Sequence, residues 1–266
     1  MNTEPVPVVR VPPEPSRPRR GWTIALVALL AVATLVQLAF PGRRTLYAIT
    51  IGTGIGRDAL QRRIDALEEK AIRRADFTTS ERTFLTDFYS TLATGAILTW
   101  FVRQTGHMMH HYLSGSGEPF ELRPEIFTEN RKVQRQAALL RKRLGPAPCR
   151  QGQAVRSPRF YMPDTSKIDS VFGLYYGTLS ATAAPQPDGT CRIRWRAEVP
   201  WDWPSYPSLK RKHGRFHAES FPLPNARSIV LGQRHALYVD NGLGHHLEVL
   251  GLATSFVAFA EWDEAP

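Results

Sequence analysis

The hydrophobic positions of this chain fall into three successive regimes, each predicting a different kind of element. The first is an unbroken run, "GWTIALVALLAVATLVQLAF" at 21–40, which carries no charge over twenty residues. That is the length an α-helix needs to cross a hydrocarbon core of about 30 Å. Trp22 stands at one end, where an indole favours a membrane interface, and Pro41-Gly42 closes the other. A signal peptide would have a shorter apolar region and a small-x-small cleavage site, which does not stand out around Leu38-Ala39-Phe40. The pattern therefore predicts an uncleaved transmembrane helix over 21–41. Residues 1–20, "MNTEPVPVVRVPPEPSRPRR", are rich in proline and arginine with little to bury, and predict a disordered tail.

The second regime, 57–145, has helical period. Leu60, Ile64, Leu67 and Ala71 recur at spacings of four, three and four, the stripe of an amphipathic helix. Thr78 with Glu81 forms a capping box for the next helix. Its apolar face runs Phe84, Phe88, Leu92, Leu98, Val102 and Met109 as one element, with Gly95 admitting a close neighbour. The run "TLATGAILTWFV" within it is too short to span a bilayer. The helix ends in "GHMMHHYLSGSGEPFEL" (106–122), read as a last helical turn, a glycine-permitted reversal and the first strand of a sheet. A basic helix follows over 126–144 and stops at "GPAP".

The third regime, 154–266, alternates. "SVFGLYYGTLSATA" and "CRIRWRAEV" flank "PQPDGT", whose Asp-Gly signals a hairpin. Cys191, Ile193, Trp195, Ala197 and Val199 point one way, and Arg192, Arg194, Arg196 and Glu198 the other, so one face is buried and the other wet and basic. "SIVLGQRHALYV" reads as extended, "DNGLGHHLEVLG" as a short helix stopped by Gly251, and "TSFVAFAEW" as a closing strand. Helices first and strands afterwards define an α+β class: a transmembrane helix, a helical segment, then a mainly antiparallel β-sheet or half-barrel with a short helix.

Charge and cysteine usage add location. The formal net charge is +10, and 131–159 holds nine Lys/Arg with no Asp or Glu, a surface suited to anionic lipid or a pyrophosphate. No nucleic-acid motif accompanies it, so nucleic acid is not expected as a partner. Arginines flank the apolar run on both sides, Arg10, Arg17, Arg19 and Arg20 before it and Arg43, Arg44 and Arg57 after, leaving the positive-inside rule nearly balanced. The short arginine-bearing tail favours a cytoplasmic N-terminus. Cys149 and Cys191, an even pair, suit a disulfide in an oxidising compartment, with two buried thiols as the alternative. Together these predict a single-pass protein with its N-terminus in the cytoplasm and the bulk of the chain outside it. His107 and His111 have the spacing of two metal ligands on a helix, but Met108 stands where a zincin carries Glu.

"HYLSGSGEPFEL", the hairpin "FGLYYGTLSATAAPQPDGTCRIRWRAEV" and "LEVLGLATSFVAFAEW" together resemble, in order, parts of the colicin M family, bacteriocins that degrade lipid-linked peptidoglycan precursor; the likeness covers roughly 106–262. The resemblance implies a hydrolase of polyprenyl-pyrophosphate acting as an antibacterial toxin, held in a bacterial inner membrane with its C-terminal domain in the periplasm. In "VPWDWPSYPSLKRKHGR" it assigns the essential acid to Asp202, the tyrosine to Tyr206, the histidine to His213 and the arginine to Arg215, one place later than in the family. Two residues more than in the family separate Asp202 from Tyr206, and Pro207 stands where an acid is expected. For these residue types Asp202 and His213 would handle protons, while Arg215, Lys212 or a divalent ion such as Mg²⁺ would offset pyrophosphate charge, with no other cofactor expected. The departures keep a second expectation open, a non-catalytic envelope binding or scaffold protein of the same fold.

Overall fold

A computed structural model describes residues 31–32, 34–98, 103–145, 149, 153–162, 176–188, 190–203, 221–223, 226–239 and 241–264. The chain divides into two units, Met1–Ala39 and Phe40–Pro266. In the first, 31–32 and 34–39 are helical, with Leu35 and Leu38 exposed. Among the described residues no helix is long and apolar enough to cross a membrane, so the expected transmembrane helix over 21–41 is not among the described elements. The tail at 1–20 and residues 21–30 lie outside them.

The second unit opens with four helices: α1 (Arg43–Thr53), α2 (Arg57–Ile72), α3 (Thr79–Leu98) and α4 (Arg103–Ser114). α2 buries Leu60, Ile64, Leu67 and Ala71, the stripe its periodicity predicted. α3 starts at the expected capping box: Thr78 N donates to Glu81 Oε2 at 2.8 Å and Glu81 N to Thr78 Oγ1 at 3.3 Å. The single long helix read through Met109 is instead two helices packed on each other. A Cβ on Gly106 of α4 would lie 2.7 Å from Ala93 O and 2.5 Å from Ile97 N of α3, so only glycine admits this approach. Gly95, the residue expected to allow close packing, has nothing within 4 Å of its would-be Cβ. Leu98 is correspondingly exposed rather than part of a continuous apolar face.

The junction after α4 is as read from sequence. Gly115 (φ 71°) and Gly117 (φ 67°) take left-handed conformations that favour glycine, and strand β1 (Phe120–Glu121) follows. A single turn, α5 (Glu125–Thr128), precedes the basic helix α6 (Arg131–Leu144). Buried Asn130 caps α6 by accepting from Lys132 N at 2.9 Å and Val133 N at 3.2 Å, and donates from Nδ2 to Met162 O at 2.8 Å. α6 thereby lays Val133, Ala137, Leu140 and Leu144 against the sheet.

The sheet contains β2 (Ala154–Arg156), β3 (Phe160–Tyr161), β4 (Tyr176–Pro185), β5 (Cys191–Trp201) and, after the small β6 (Phe221–Leu223) and β7 (Leu237–Val239) pair, β8 (Phe256–Glu264). Its order is β1-β8-β5-β4-β2, with β3 also on β4. The class is α+β as expected, but the sheet is mixed because β1 runs parallel to β8 while the other pairings are antiparallel. Alternation along β5 holds: Ile193, Trp195, Ala197 and Val199 are buried, while Arg192 and Arg194 are exposed. The wet face is less basic than β5 alone suggested, because β8 sets Asp263 against Arg194 and Glu261 against Arg196. Cys149 and Cys191 form a disulfide, Cα–Cα 5.7 Å.

One element was misread. "SIVLGQRHALYV" is not extended throughout but contains most of helix α7 (Ala226–Leu231), a 3₁₀ turn at Gln233–His235 and only then the short β7. The β-branched Ile229 and Val230 look like strand formers, yet they face solvent and none of the described strands pairs with them. β7 instead takes Gln61 of α2 as a neighbour: Tyr238 N donates to Gln61 Oε1 at 2.8 Å and Gln61 Nε2 to Tyr238 O at 2.9 Å. The final short helix, α8 (Asn241–Val249), and the turn at Gly251 (φ 67°) are as expected.

Candidate functional site

The ends of several elements converge on one open cleft of about 420 Å³. β5 contributes Pro200 and, just past its end, Asp202 and Trp203; the start of β8 contributes Phe256 and Val257, with Ser255 before it. The junction after α4 supplies Gly117 and Pro119, and α8 supplies His245 and Glu248. The junction is tied in place by Thr254, whose N donates to Tyr112 O and whose Oγ1 donates to Gly115 O, both at 3.1 Å.

Aromatic rings pack behind the cleft. Tyr112 of α4 lies edge-on to Trp201 at 5.5 Å between centroids, Trp201 meets Trp203 at 6.1 Å, and Phe256 meets Trp201 at 5.3 Å. Such rings supply large rigid area with defined edge-to-face geometry. Gly244 makes room for Trp203, because a Cβ there would overlap the indole.

A polar network crosses this aromatic layer. The buried Tyr112 hydroxyl lies 2.9 Å from Glu248 Oε1 and 3.1 Å from Gly244 O, and Ser255 Oγ also donates to Glu248 Oε1. Burial, then the Glu248 charge and hydrogen bond, push the Tyr112 phenol well above its ordinary pKa, with a smaller push from Asp202. Tyr112 therefore acts as a neutral donor that fixes Glu248. His245 Nδ1 stands 3.6 Å from the other Glu248 oxygen, one helical turn away. The neighbouring His246 turns inward, its ring tilted against Phe77 at 4.7 Å, and burial holds its imidazole below the usual range. Asp202 is exposed at the cleft. A carboxylate open to solvent, a second held by two hydroxyls and an imidazole beside it make a set capable of proton transfer.

Of the residues singled out from sequence, Asp202 lines this cleft, while Tyr206, His213 and Arg215 lie outside the described residues, as does Lys212. The His107/His111 spacing does not lead to a metal site. His111 Nε2 pairs with Glu118 O at 2.8 Å, and its ring packs on Phe120 at 4.9 Å and Phe256 at 4.7 Å. Among the described residues no group of three or more His, Cys, Asp or Glu side chains is placed to hold a metal. A magnesium ion needs less, one or two carboxylates with substrate phosphates completing its shell. Asp202 and Glu248 are the two carboxylates that line this cleft.

Sequence reasoning missed His245, Glu248, Ser255 and Tyr112. The spacing of three puts His245 and Glu248 on one face of α8, a signal that was legible. Nothing local indicated that this face meets Asp202 from the far end of β5. Comparison with protein-family models, with curated proteins and with solved structures finds no match. What the fold and cleft define is a disulfide-closed α+β domain with an open cleft at one end of a mixed sheet.

Proposed function

We propose that this chain is a membrane-anchored, periplasm-facing hydrolase of colicin M-like type, acting on a lipid-linked pyrophosphate as an antibacterial effector. The observation that carries this reading is convergence: Asp202, the junction at Gly117–Pro119 and the α8–β8 segment all line one cleft. Gly117–Pro119 and most of the α8–β8 segment belong to stretches that carry the resemblance, Asp202 is the residue to which it gives the essential acid, and the three are distant in sequence. The disulfide supports an oxidising compartment. The apolar run at 21–40 supports an anchor, which suits a substrate that stays in the bilayer.

In this reading the Asp202 carboxylate takes a proton from water as the water oxygen attacks phosphorus. The bond from phosphorus to the polyprenyl oxygen breaks, and that oxygen gains a proton to leave as polyprenol. By its residue type His213 would supply that proton, and Arg215 and Lys212 would offset the pyrophosphate's charge, with Tyr206 the tyrosine the resemblance assigns; His245 at the cleft is a second proton donor. Mg²⁺, held by Asp202 and Glu248, would neutralise phosphate charge.

A second reading, a binding or scaffold protein of the same fold, is favoured by one observation: Glu248 is already engaged by Tyr112 and Ser255. The two separate in one experiment. The full chain in detergent is mixed with lipid-linked peptidoglycan precursor, with and without Mg²⁺, and released polyprenol is measured beside Asp202→Asn. Release that falls with Asp202→Asn supports the enzyme, with a loss on the order of 10²–10⁴-fold for a proton-transfer group. Undiminished release from Asp202→Asn removes the site assignment, and no release from folded wild-type protein transfers the case to binding.

A further inference from the structure

Among the described residues of the Phe40–Pro266 unit, the three most exposed large apolar side chains are Val230 (79%), Ile229 (77%) and Ile55 (70%). They belong to neighbouring elements. α1 packs beside α7, and Arg57, two residues after Ile55, donates from Nε to Ala236 O at 2.8 Å. Leu231 extends the apolar tip of α7, and Leu46 on α1 is exposed as well. Three consecutive apolar residues facing water on one helix are not accounted for by packing among the described residues.

The charges around this tip are basic. Arg227 and Arg234 bracket Ile229–Leu231 and are exposed. The nearby acid Asp58 is bonded to Arg57 at 2.8 Å, and Arg227 lies close enough to help hold its carboxyl below the ordinary range, after the Arg57 hydrogen bond. An apolar tip in a collar of arginines is the composition of an interfacial membrane contact: the side chains enter the headgroup–acyl boundary and the guanidiniums meet phosphates.

Chain connectivity points to the same occupant. The uncharged run at 21–40 ends three residues before α1 begins, a tether of at most about 10 Å when fully extended. α1 is fixed to the domain: the Arg44 guanidinium donates to Ser90 O at 3.0 Å and Thr94 Oγ1 at 2.6 Å, and Tyr47 stacks edge-on to Phe84 at 5.4 Å. An anchor in that run would join the domain through α1, the helix that packs against α7.

We propose that the Ile229–Leu231 tip, together with Ile55, is a membrane-seating wedge that lodges in the phospholipid surface of the anchoring bilayer, with Arg227 and Arg234 on its phosphates. This rests on the anchor in the proposed function but not on its chemistry. It also assigns the lipid contact to α7 in place of the basic helix α6.

The sequence has two cysteines and both are in the disulfide, so Val230→Cys provides a unique thiol on an exposed site. The full-length variant is labelled with an environment-sensitive fluorophore and reconstituted in phosphatidylethanolamine/phosphatidylglycerol vesicles carrying a shallow nitroxide lipid. Leu139→Cys, exposed on α6, is treated in parallel. The expected result is a chain that floats with the vesicles and a Val230 probe shifted to shorter wavelength and quenched by the nitroxide, with the Leu139 probe unchanged. A floating chain whose Val230 probe stays water-like overturns the wedge and leaves the anchor standing. A chain that fails to float overturns both. Quenching at Leu139 and not at Val230 gives the membrane to α6 and overturns the wedge, as does a Val230 shift that depends on protein concentration and not on the nitroxide, which means a second copy covers the tip.

Discussion

β5 and β8 pair without interruption from Ile193↔Glu264 to Trp201↔Phe256, yet the two ends of this one ladder are built differently. At the Ile193 end the ladder is tied down. Cys191 is bonded to Cys149, Arg141 holds Glu264 at 2.7 Å, and Trp195 stacks on Trp262 at 6.3 Å. At the Trp201 end the strands run into the cleft, where Asp202, Ser255 and the α8 side chains replace covalent and ionic ties. The difference teaches how one sheet serves two purposes. Cross-links at one end restrict the unfolded chain, which leaves the other end able to hold polar groups in an open cleft without carrying the fold's stability.

The sharpest way to break this comparison is to cut the tied end. Replacing Cys149 and Cys191 by serine frees a loop whose ends are 42 residues apart, and the chain-entropy relation puts the loss at about 4 kcal/mol. Urea unfolding should show that loss while any activity at the cleft survives under native conditions. Equal loss of activity and stability would mean the two ends are not separable. Gly244→Ala works on the other end. Its methyl group would overlap the Trp203 indole, an overpacking cost of about 1–3 kcal/mol. Here the expected order reverses: cleft function and tryptophan fluorescence change more than the unfolding midpoint does.

The tied end was the legible one. Alternation along Cys191–Val199 gave the buried face, the Asp-Gly turn gave the hairpin, and an even cysteine pair left a disulfide as one of two readings. These are local signals of period two or of single turns, and burial followed them. The helical stripe of α2 and the capping box of α3 were legible for the same reason. The cleft end was only partly so. Asp202 was singled out, but Glu248, His245 and Tyr112 reach it from elements more than forty residues away in either direction, and no periodicity encodes such a meeting. The helix break before Gly106 was hidden because Val102 and Met109 continue the apolar period across it; the close backbone contact that makes glycine necessary exists only once the chain has turned back. α7 was misread for a related reason, since the β-branched pair at Ile229–Val230 carries a strand signal while facing solvent.

Two changes sharpen the cleft side at smaller cost. Tyr112→Phe removes the hydroxyl at 2.9 Å from Glu248 and leaves Ser255 to hold that carboxylate, a loss of about 1.5 kcal/mol for a bond to a charged group. Thermal unfolding would check it, and the cleft function should fall with it because Glu248 is no longer fixed. His246, next to cleft residue His245, gives a pH signature. Burial first, then His245, holds its folded pKa below the ordinary 6.5, so between those values the unfolded chain binds more protons than the folded one. Stability is therefore fully present above about 6.5 and falls as pH drops below it. Glu81, lowered by Lys70 and Thr78, adds a separate loss only below its ordinary 4.5. His246→Gln should flatten the upper window and leave the lower one unchanged, with His235, also held below its ordinary value, supplying the remaining slope. A profile unaltered by His246→Gln would mean that this buried imidazole does not report on folding.

The wet face of the sheet sets the lower limit of the scale. Arg196 reaches Glu198 at 2.8 Å and Glu261 at 2.6 Å and lies 4.5 Å over the Phe259 ring, while Arg194 meets Asp263 alone at 3.2 Å and is two-thirds exposed. Exposed pairs gain little after screening and side-chain entropy, so Arg196→Gln should cost about 1 kcal/mol and Arg194→Gln no more than about 0.5. Chemical unfolding at low and high salt separates the contributions, because the charge part shrinks with screening while the packing of Arg196 on Phe259 does not. If Arg194→Gln cost as much as losing the disulfide, the ladder of ions rather than the covalent tie would be securing the sheet, and the contrast between its two ends would lose its physical basis.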